Sequence, residues 1–201
     1  MSAQPKRPFL TPEEYLAIER AADFKSEYFA GEMVAMSGAS DPHETIVVNL
    51  TIGLGNILRG KPCRVKGGNL RISVRGSNYL YPDLSVVCGE AQFADGTYLD
   101  TLVNPTAIFE ILSESTEHKD RGLKWMLYQR IQSLQYYVLI SQKRARVEIY
   151  TRQPNGDWLM HAEHGIGGSL IIPTMGVSIS LSELYENVAF PPIDDELTFS
   201  E

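Results

Sequence analysis

Hydrophobic and polar positions follow a helical period in three stretches of the chain and a two-residue alternation through much of the rest. Thr11-Pro12-Glu13-Glu14 has the form of a capping box with proline at the first helical position, and it opens a helix to about Ala22. Lys25 to Phe29 and Met33 to Met36 then flank Ala30-Gly31 as the arms of a hairpin. Asp41-Pro42-His43-Glu44 repeats the helix-start chemistry, with Glu44 as the reciprocal half of an Asp41 capping box. Ile46, Leu50, Leu54 and Ile57 give that helix an apolar stripe to about Leu58. Gly53 and Gly55 weaken it by roughly 1 kcal/mol each, which implies a closely packed neighbour.

Strand patterns follow at Cys63 to Lys66, Leu70 to Val74, Leu84 to Cys88 and Thr106 to Leu112, before a third helix from about Lys119 to Gln132. Tyr136 to Ile140, Val147 to Thr151 and Trp158 to His161 are the later strands. The turn Pro154-Asn155-Gly156-Asp157 separates the last two, and a short helix spans Leu181 to Glu186. The pattern predicts one α/β domain over residues 1–201, with its core at about 10–187. A mixed sheet lies between helices, preceded by the N-terminal helix and hairpin, and an acidic tail frays over 190–201.

Two carboxylates interrupt this scheme. In Thr106-Ala107-Ile108-Phe109-Glu110-Ile111-Leu112 alternation puts Glu110 on one face with Thr106, Ile108 and Leu112, and an acid is seldom buried unless it is paired or bound to a metal. Asp83 stands directly after a proline at the head of the apolar run Leu84 to Cys88. On the third helix Asp120, Lys124 and Tyr128 share a stripe, beside Leu123, Leu127 and Ile131. Two acids and a lysine on adjacent core elements suit a metal-dependent phosphodiesterase, because carboxylates are hard ligands for magnesium and an ammonium can orient water or offset phosphate charge. The plainer alternative makes Asp83 a turn residue and the Asp120–Lys124 pair a surface ion pair.

Composition is that of a soluble globular chain, with 43% hydrophobic and 21% charged residues among 201. No run approaches the roughly 18 apolar residues of a membrane span, so a cytoplasmic protein with no membrane partner is expected. Cys63 and Cys88 both fall in strand patterns, which predicts reduced core thiols. The net charge of −7 opposes nucleic-acid binding, but from Thr45 to Pro82 no acid occurs while Arg59, Lys61, Arg64, Lys66, Arg71 and Arg75 do.

The motifs Tyr28-Phe29-Ala30-Gly31-Glu32, His43 at a helix start, Tyr81-Pro82-Asp83-Leu84-Ser85-Val86-Val87 and Phe109-Glu110-Ile111-Leu112-Ser113-Glu114-Ser115-Thr116, followed by Asp120, Arg121, Lys124 and Tyr128, carry a resemblance. From about Leu10 to Asn187 the chain resembles the uncharacterised prokaryotic restriction-endonuclease family (Uma-type) of the PD-(D/E)XK nuclease superfamily. The resemblance implies a restriction-endonuclease-like core and hydrolysis of DNA phosphodiesters with Mg2+ or Mn2+. It implies Asp83 and Glu110 as metal ligands, the Ile111 carbonyl as a third, and Lys124 as the catalytic cation. Glu32, His43, Asp120 and Tyr128 are implied auxiliaries. The superfamily motif wants lysine two positions after the glutamate, where this chain has Leu112; Lys124 takes its place from the following helix, at an exposed position that would tolerate alanine. Cutting both strands of a duplex implies a homodimer. A catalytically inactive scaffold that binds DNA or protein is the rival expectation.

Overall fold

In the computed structural model, which describes residues 9–192, helix α1 (Pro12–Ala21) starts as its sequence requires: Thr11 accepts the Glu14 N–H and the Glu14 carboxylate accepts that of Thr11. The hairpin of β1 (Ser26–Phe29) and β2 (Glu32–Ala35) turns at Ala30 and Gly31, both at positive φ. Helix α2 (Asp41–Ile57) has Ser40, not Asp41, at its N-cap position, and the expected Asp41–Glu44 box is absent. Ser40 instead donates its hydroxyl to the Gln142 side chain, so its oxygen is aimed at a neighbouring loop and not at the helix N–H groups. Gly53 is closely packed, against the Ile179 side chain, whereas Gly55 faces open space.

The strands divide between two mixed sheets and a separate two-stranded hairpin where the sequence suggests one mixed sheet. Strands β3 (Cys63–Gly67), β4 (Arg71–Val74), β5 (Asn78–Leu80), β6 (Leu84–Cys88), β7 (Thr101–Leu102) and β8 (Ala107–Leu112) lead to a helical segment. That segment comprises α3 (Glu117–Lys119), a π-helical stretch (Asp120–Lys124) and α4 (Trp125–Tyr128). Strands β9 (Tyr136–Ser141), β10 (Arg146–Arg152) and β11 (Trp158–His164) follow. The hairpin β12 (Ser169–Ile172) and β13 (Val177–Ser180) and helix α5 (Leu181–Leu184) come last. The larger sheet has the order β11-β10-β9-β8-β6-β3 and the smaller the order β2-β1-β5-β4-β7. Strands β8 and β9 are parallel, joined by the helical segment as a crossover.

Alternation along β8 sends its side chains into two cores. Ala107, Phe109 and Ile111 pack with Ile46, Leu50 and Leu54 of α2 and with the β12–β13 hairpin. Ile108 and Leu112 pack with Leu127 and Tyr128 of α4 and with Ile72, Val74 and Leu80 of the smaller sheet. Helix α1 covers that sheet's far side through stacked tyrosines, Tyr15 lying 4.9 Å from Tyr28.

Cys63 and Cys88 stand directly opposite each other on antiparallel β3 and β6 and form a disulfide, which corrects the expectation of free thiols: facing positions in a ladder bring two strand cysteines within bonding reach. Among the described residues no helix is long and apolar enough to cross a membrane. Residues 193–201 of the acidic tail lie outside the described residues.

Candidate active site

Strand β6 leaves β8 at the Leu84–Phe109 pair, and the two acids occupy the gap beyond it. Asp83 Oδ2 accepts the Ile111 N–H at 2.7 Å, while the Asp83 N–H donates to Glu110 Oε2 at 3.3 Å. Each carboxylate therefore replaces the backbone partner that the other strand no longer supplies. Tyr81 fixes the approach to this junction. Its hydroxyl donates to Glu19 at 2.9 Å and accepts from buried Arg71 at 3.1 Å, and its N–H donates to Glu27 at 3.2 Å. Pro82 then restricts the Tyr81 backbone to extended geometry and delivers Asp83 to the strand head.

Asp120, Lys124 and Tyr128 all turn toward Glu110, and the π stretch accounts for it. Four residues of α-helix overshoot a full turn by about 40°, and four residues of a helix with roughly 4.4 residues per turn fall short by about 33°. A π step from Asp120 to Lys124 followed by an α step to Tyr128 nearly cancels, so the three side chains line up instead of drifting round the helix.

The floor of the site is buried. Glu110, Asp120 and Lys124 are 2%, 1% and 5% exposed. Lys124 Nζ lies 3.2 Å from Glu110 Oε1, Asp120 Oδ1 and Glu27 Oε1 alike. Of the three only the Glu110 contact is aligned as a hydrogen bond; Asp120 Oδ1 is buried without one. Tyr128 donates its hydroxyl to Glu110 at 3.0 Å. These contacts overturn both the surface ion pair and the exposed lysine: the helix presents this stripe inward because β8 offers an acid to it.

Three carboxylates around one ammonium leave the site short of positive charge. Burial first, and then the charges of Asp120, Asp83 and Glu27, push the Glu110 carboxyl well above its ordinary value in spite of Lys124. Burial likewise raises Asp120 against the pull of Lys124. Burial would lower Lys124, but Glu110, Glu27 and Asp120 together hold it well above the usual lysine range, as an ammonium. His43, on the first turn of α2, puts Nε2 3.2 Å from Asp83 Oδ2. Its burial lowers its pKa, but the bond and charge of Asp83, with Glu44, raise it by more.

These groups line a cleft of about 740 Å³ whose wall also includes Lys25, Glu44, Glu114, Lys119 and Gln142. Asp83, Glu110, Ile111, Lys124, His43 and Asp120 thus converge, with Tyr128 bonded beneath them. Glu32 does not: it is exposed on β2, opposite Phe29, and the acid that the hairpin contributes is Glu27 on β1. Sequence held the signal for Glu27, which shares a strand face with Phe29 and so points an acid at the apolar side, as Glu110 does.

Comparison with known proteins places the fold and the family. A crystal structure from Anabaena variabilis ATCC 29413, described as "a putative nuclease belonging to DUF820", matches with a TM-score of 0.72 and 18% identity over 88% of this chain and 97% of that one, which places the fold. An uncharacterised Synechocystis protein, slr1290, is 35% identical over 189 residues, covering 92% of this chain and 97% of its own. A second from that organism, sll1609, is 34% identical over 152 residues, 75% of this chain and 85% of its own. Residues 12–182 match the model of the Uma2 family, described as "Putative restriction endonuclease", and the chain belongs to that family.

Proposed function

We propose that the protein is a divalent-metal-dependent endonuclease of the PD-(D/E)XK type, hydrolysing phosphodiester bonds of DNA. The charge deficit of the cleft floor carries this reading: Glu27, Glu110 and Asp120 share the Lys124 ammonium, and among the described residues Asp83 has only His43 and one backbone N–H as partners. A half-closed site rich in carboxylate oxygens fits Mg2+ or Mn2+, both hard cations. Asp83 and Glu110 would hold the ion, with the carbonyl of Ile111. That carbonyl shares a strand edge with the N–H that binds Asp83, past the end of the β6 ladder. When bound, such an ion supplies Lewis acidity toward a phosphate oxygen and a water of lowered pKa.

The chain's own groups have distinct tasks in this scheme. Lys124 holds a fixed positive charge where negative charge develops on the phosphate, in a site buried enough for that charge to act strongly. Tyr128 fixes the Glu110 carboxylate and His43 that of Asp83. Glu27 and Asp120 keep Lys124 protonated and centred. The test is metal-dependent nicking of supercoiled plasmid together with calorimetric Mn2+ binding. Asp83→Asn and Glu110→Gln should each lower nicking by about 10²-fold or more and weaken Mn2+ binding.

One observation favours a second reading, an inactive scaffold of nuclease fold that binds DNA or protein. Among the described residues no three His, Cys, Asp or Glu side chains are grouped as a metal cage. Wild-type protein that neither binds Mn2+ nor nicks plasmid would establish it. For the active reading we also propose a two-fold homodimer, since a duplex has two strands to cut.

A further inference from the structure

The acidic cleft also carries two ammonium groups that the chemistry above leaves unused. Lys25 and Lys119 both line it, and among the described residues neither forms an ion pair, whereas Lys124, the third lysine of the cleft, does. Lys25 Nζ rests on neutral acceptors, the Gly68 carbonyl at 3.1 Å and Asn69 Oδ1 at 3.0 Å.

They are carried by different elements, Lys25 as the residue directly before β1 and Lys119 by α3. Gly68, which holds Lys25, packs so closely on the Asp83 backbone that a Cβ there would stand 3.1 Å from the Asp83 carbonyl oxygen. Lys119 is exposed and directly precedes buried Asp120, whose carboxylate lies 3.2 Å from Lys124. A phosphate entering the cleft therefore meets two ammonium groups that form no ion pair among the described residues. A chain of net charge −7 repels polyanions at long range, so cations left without an ion pair in this acidic cleft are a local means of drawing phosphate in.

We propose that Lys25 and Lys119 form a clamp for the phosphates on either side of the scissile one, so that the site selects a strand with consecutive phosphates over an isolated phosphodiester. This rests on the nuclease reading. Glu44 and Glu114, also in the cleft wall, act against the clamp, and removing either should tighten binding.

The test compares wild type, Lys25→Ala, Lys119→Ala, the double variant and Lys→Arg controls. Affinity for a fluorescein-labelled duplex is read by anisotropy in Ca2+ across a salt series. Hydrolysis of plasmid and of bis(p-nitrophenyl) phosphate is read in Mn2+. Each alanine should weaken duplex binding roughly 3- to 10-fold and flatten the salt slope by about 0.9. Plasmid hydrolysis should fall at least tenfold more than hydrolysis of the small ester in the double variant, with arginine restoring the difference. Equal losses on the two substrates, or unchanged affinity and slope, would overturn the clamp. If wild type binds duplex but hydrolyses neither substrate, the nuclease reading fails while the anisotropy series still decides the clamp. Wild type that binds no DNA overturns the clamp outright.

Discussion

Removing the Lys124 ammonium would leave Glu27, Glu110 and Asp120 facing one another in a buried floor with no cation among them. Truncating one partner of a buried ion cluster costs about 3–5 kcal/mol. Lys124→Ala should therefore lower the urea midpoint markedly, and any loss of nicking must be read at a temperature where circular dichroism shows the variant folded. Glu27→Gln is the cleaner probe, because it removes one of three like charges around a single ammonium and keeps the volume. Its stability should stay within about 1 kcal/mol of wild type, while nicking falls roughly tenfold through looser placement of Lys124. An unchanged rate would remove Glu27 from the site. Asp83 and Glu110 are legible in the sequence because an acid inside an apolar, β-branched run is conspicuous. Glu27 is harder to read, since Ser26-Glu27-Tyr28-Phe29 is short and polar enough to pass for an ordinary hairpin arm, and the turn acid Glu32 draws the eye instead.

Among elements, the long helices and the strands of the larger sheet were readable from periodicity alone, while the hairpin Ser169–Ile172 and Val177–Ser180 and the shortest strands were not. Asn78–Leu80 and Thr101–Leu102 have two or three residues each, too few for alternation to register, and tertiary contacts make them strands. The π stretch has no sequence signature at all, although the stripe it straightens was visible. The disulfide closes a separation of 25 residues, so replacing Cys63 and Cys88 with serine should cost about 3 kcal/mol of stability under oxidising conditions. Equal melting temperatures with and without reductant would mean that the thiols do not pair in solution. The loop before β7 is tied down by Asp100, which accepts from Arg20 Nε at 2.8 Å and also binds Arg71. Burial opposes ionisation there, but the bonds from Arg20 and Thr101 and the charge of Arg71 hold its carboxyl well below the usual range. A depressed carboxylate contributes its stability in full above its unfolded value of about 4 and loses it as pH falls through the folded value. Asp100→Asn should be less stable than wild type at pH 7, and the gap should narrow on acidification below pH 4; a gap that widens there would refute this account.

At the scale of the whole molecule, the crossover from β8 to β9 sets where the chemistry can be. Ligands of parallel strands collect at the carboxyl ends, and here Glu110 and Ile111 on β8 and Gln142, just past β9, line the cleft at that end. That much follows from a β–α–β order legible in the sequence. The second sheet was not legible, because nothing local tells β1, β4 and β5 to pair with one another rather than with β6. The assembly is the remaining question at this scale. Helix α2 buries Ile46, Leu50 and Leu54 but leaves Val48 and Ile52 52% and 57% exposed, one turn apart and followed on the same stripe by open Gly55. A helix face that is apolar, flat at a glycine and turned outward suits self-contact across a two-fold axis, where each residue meets its own copy or a near neighbour. Light scattering at micromolar concentration should then return twice the chain mass of 22.5 kDa. Ile52→Glu should return a folded single chain, since the position faces solvent and one buried like-charge pair across the axis suffices to part the copies. If the homodimer serves duplex cleavage, that variant should still nick one strand of a plasmid while losing most of its conversion to linear product. A wild-type mass of one chain, or an Ile52→Glu protein that remains dimeric, would exclude the α2 face as the contact.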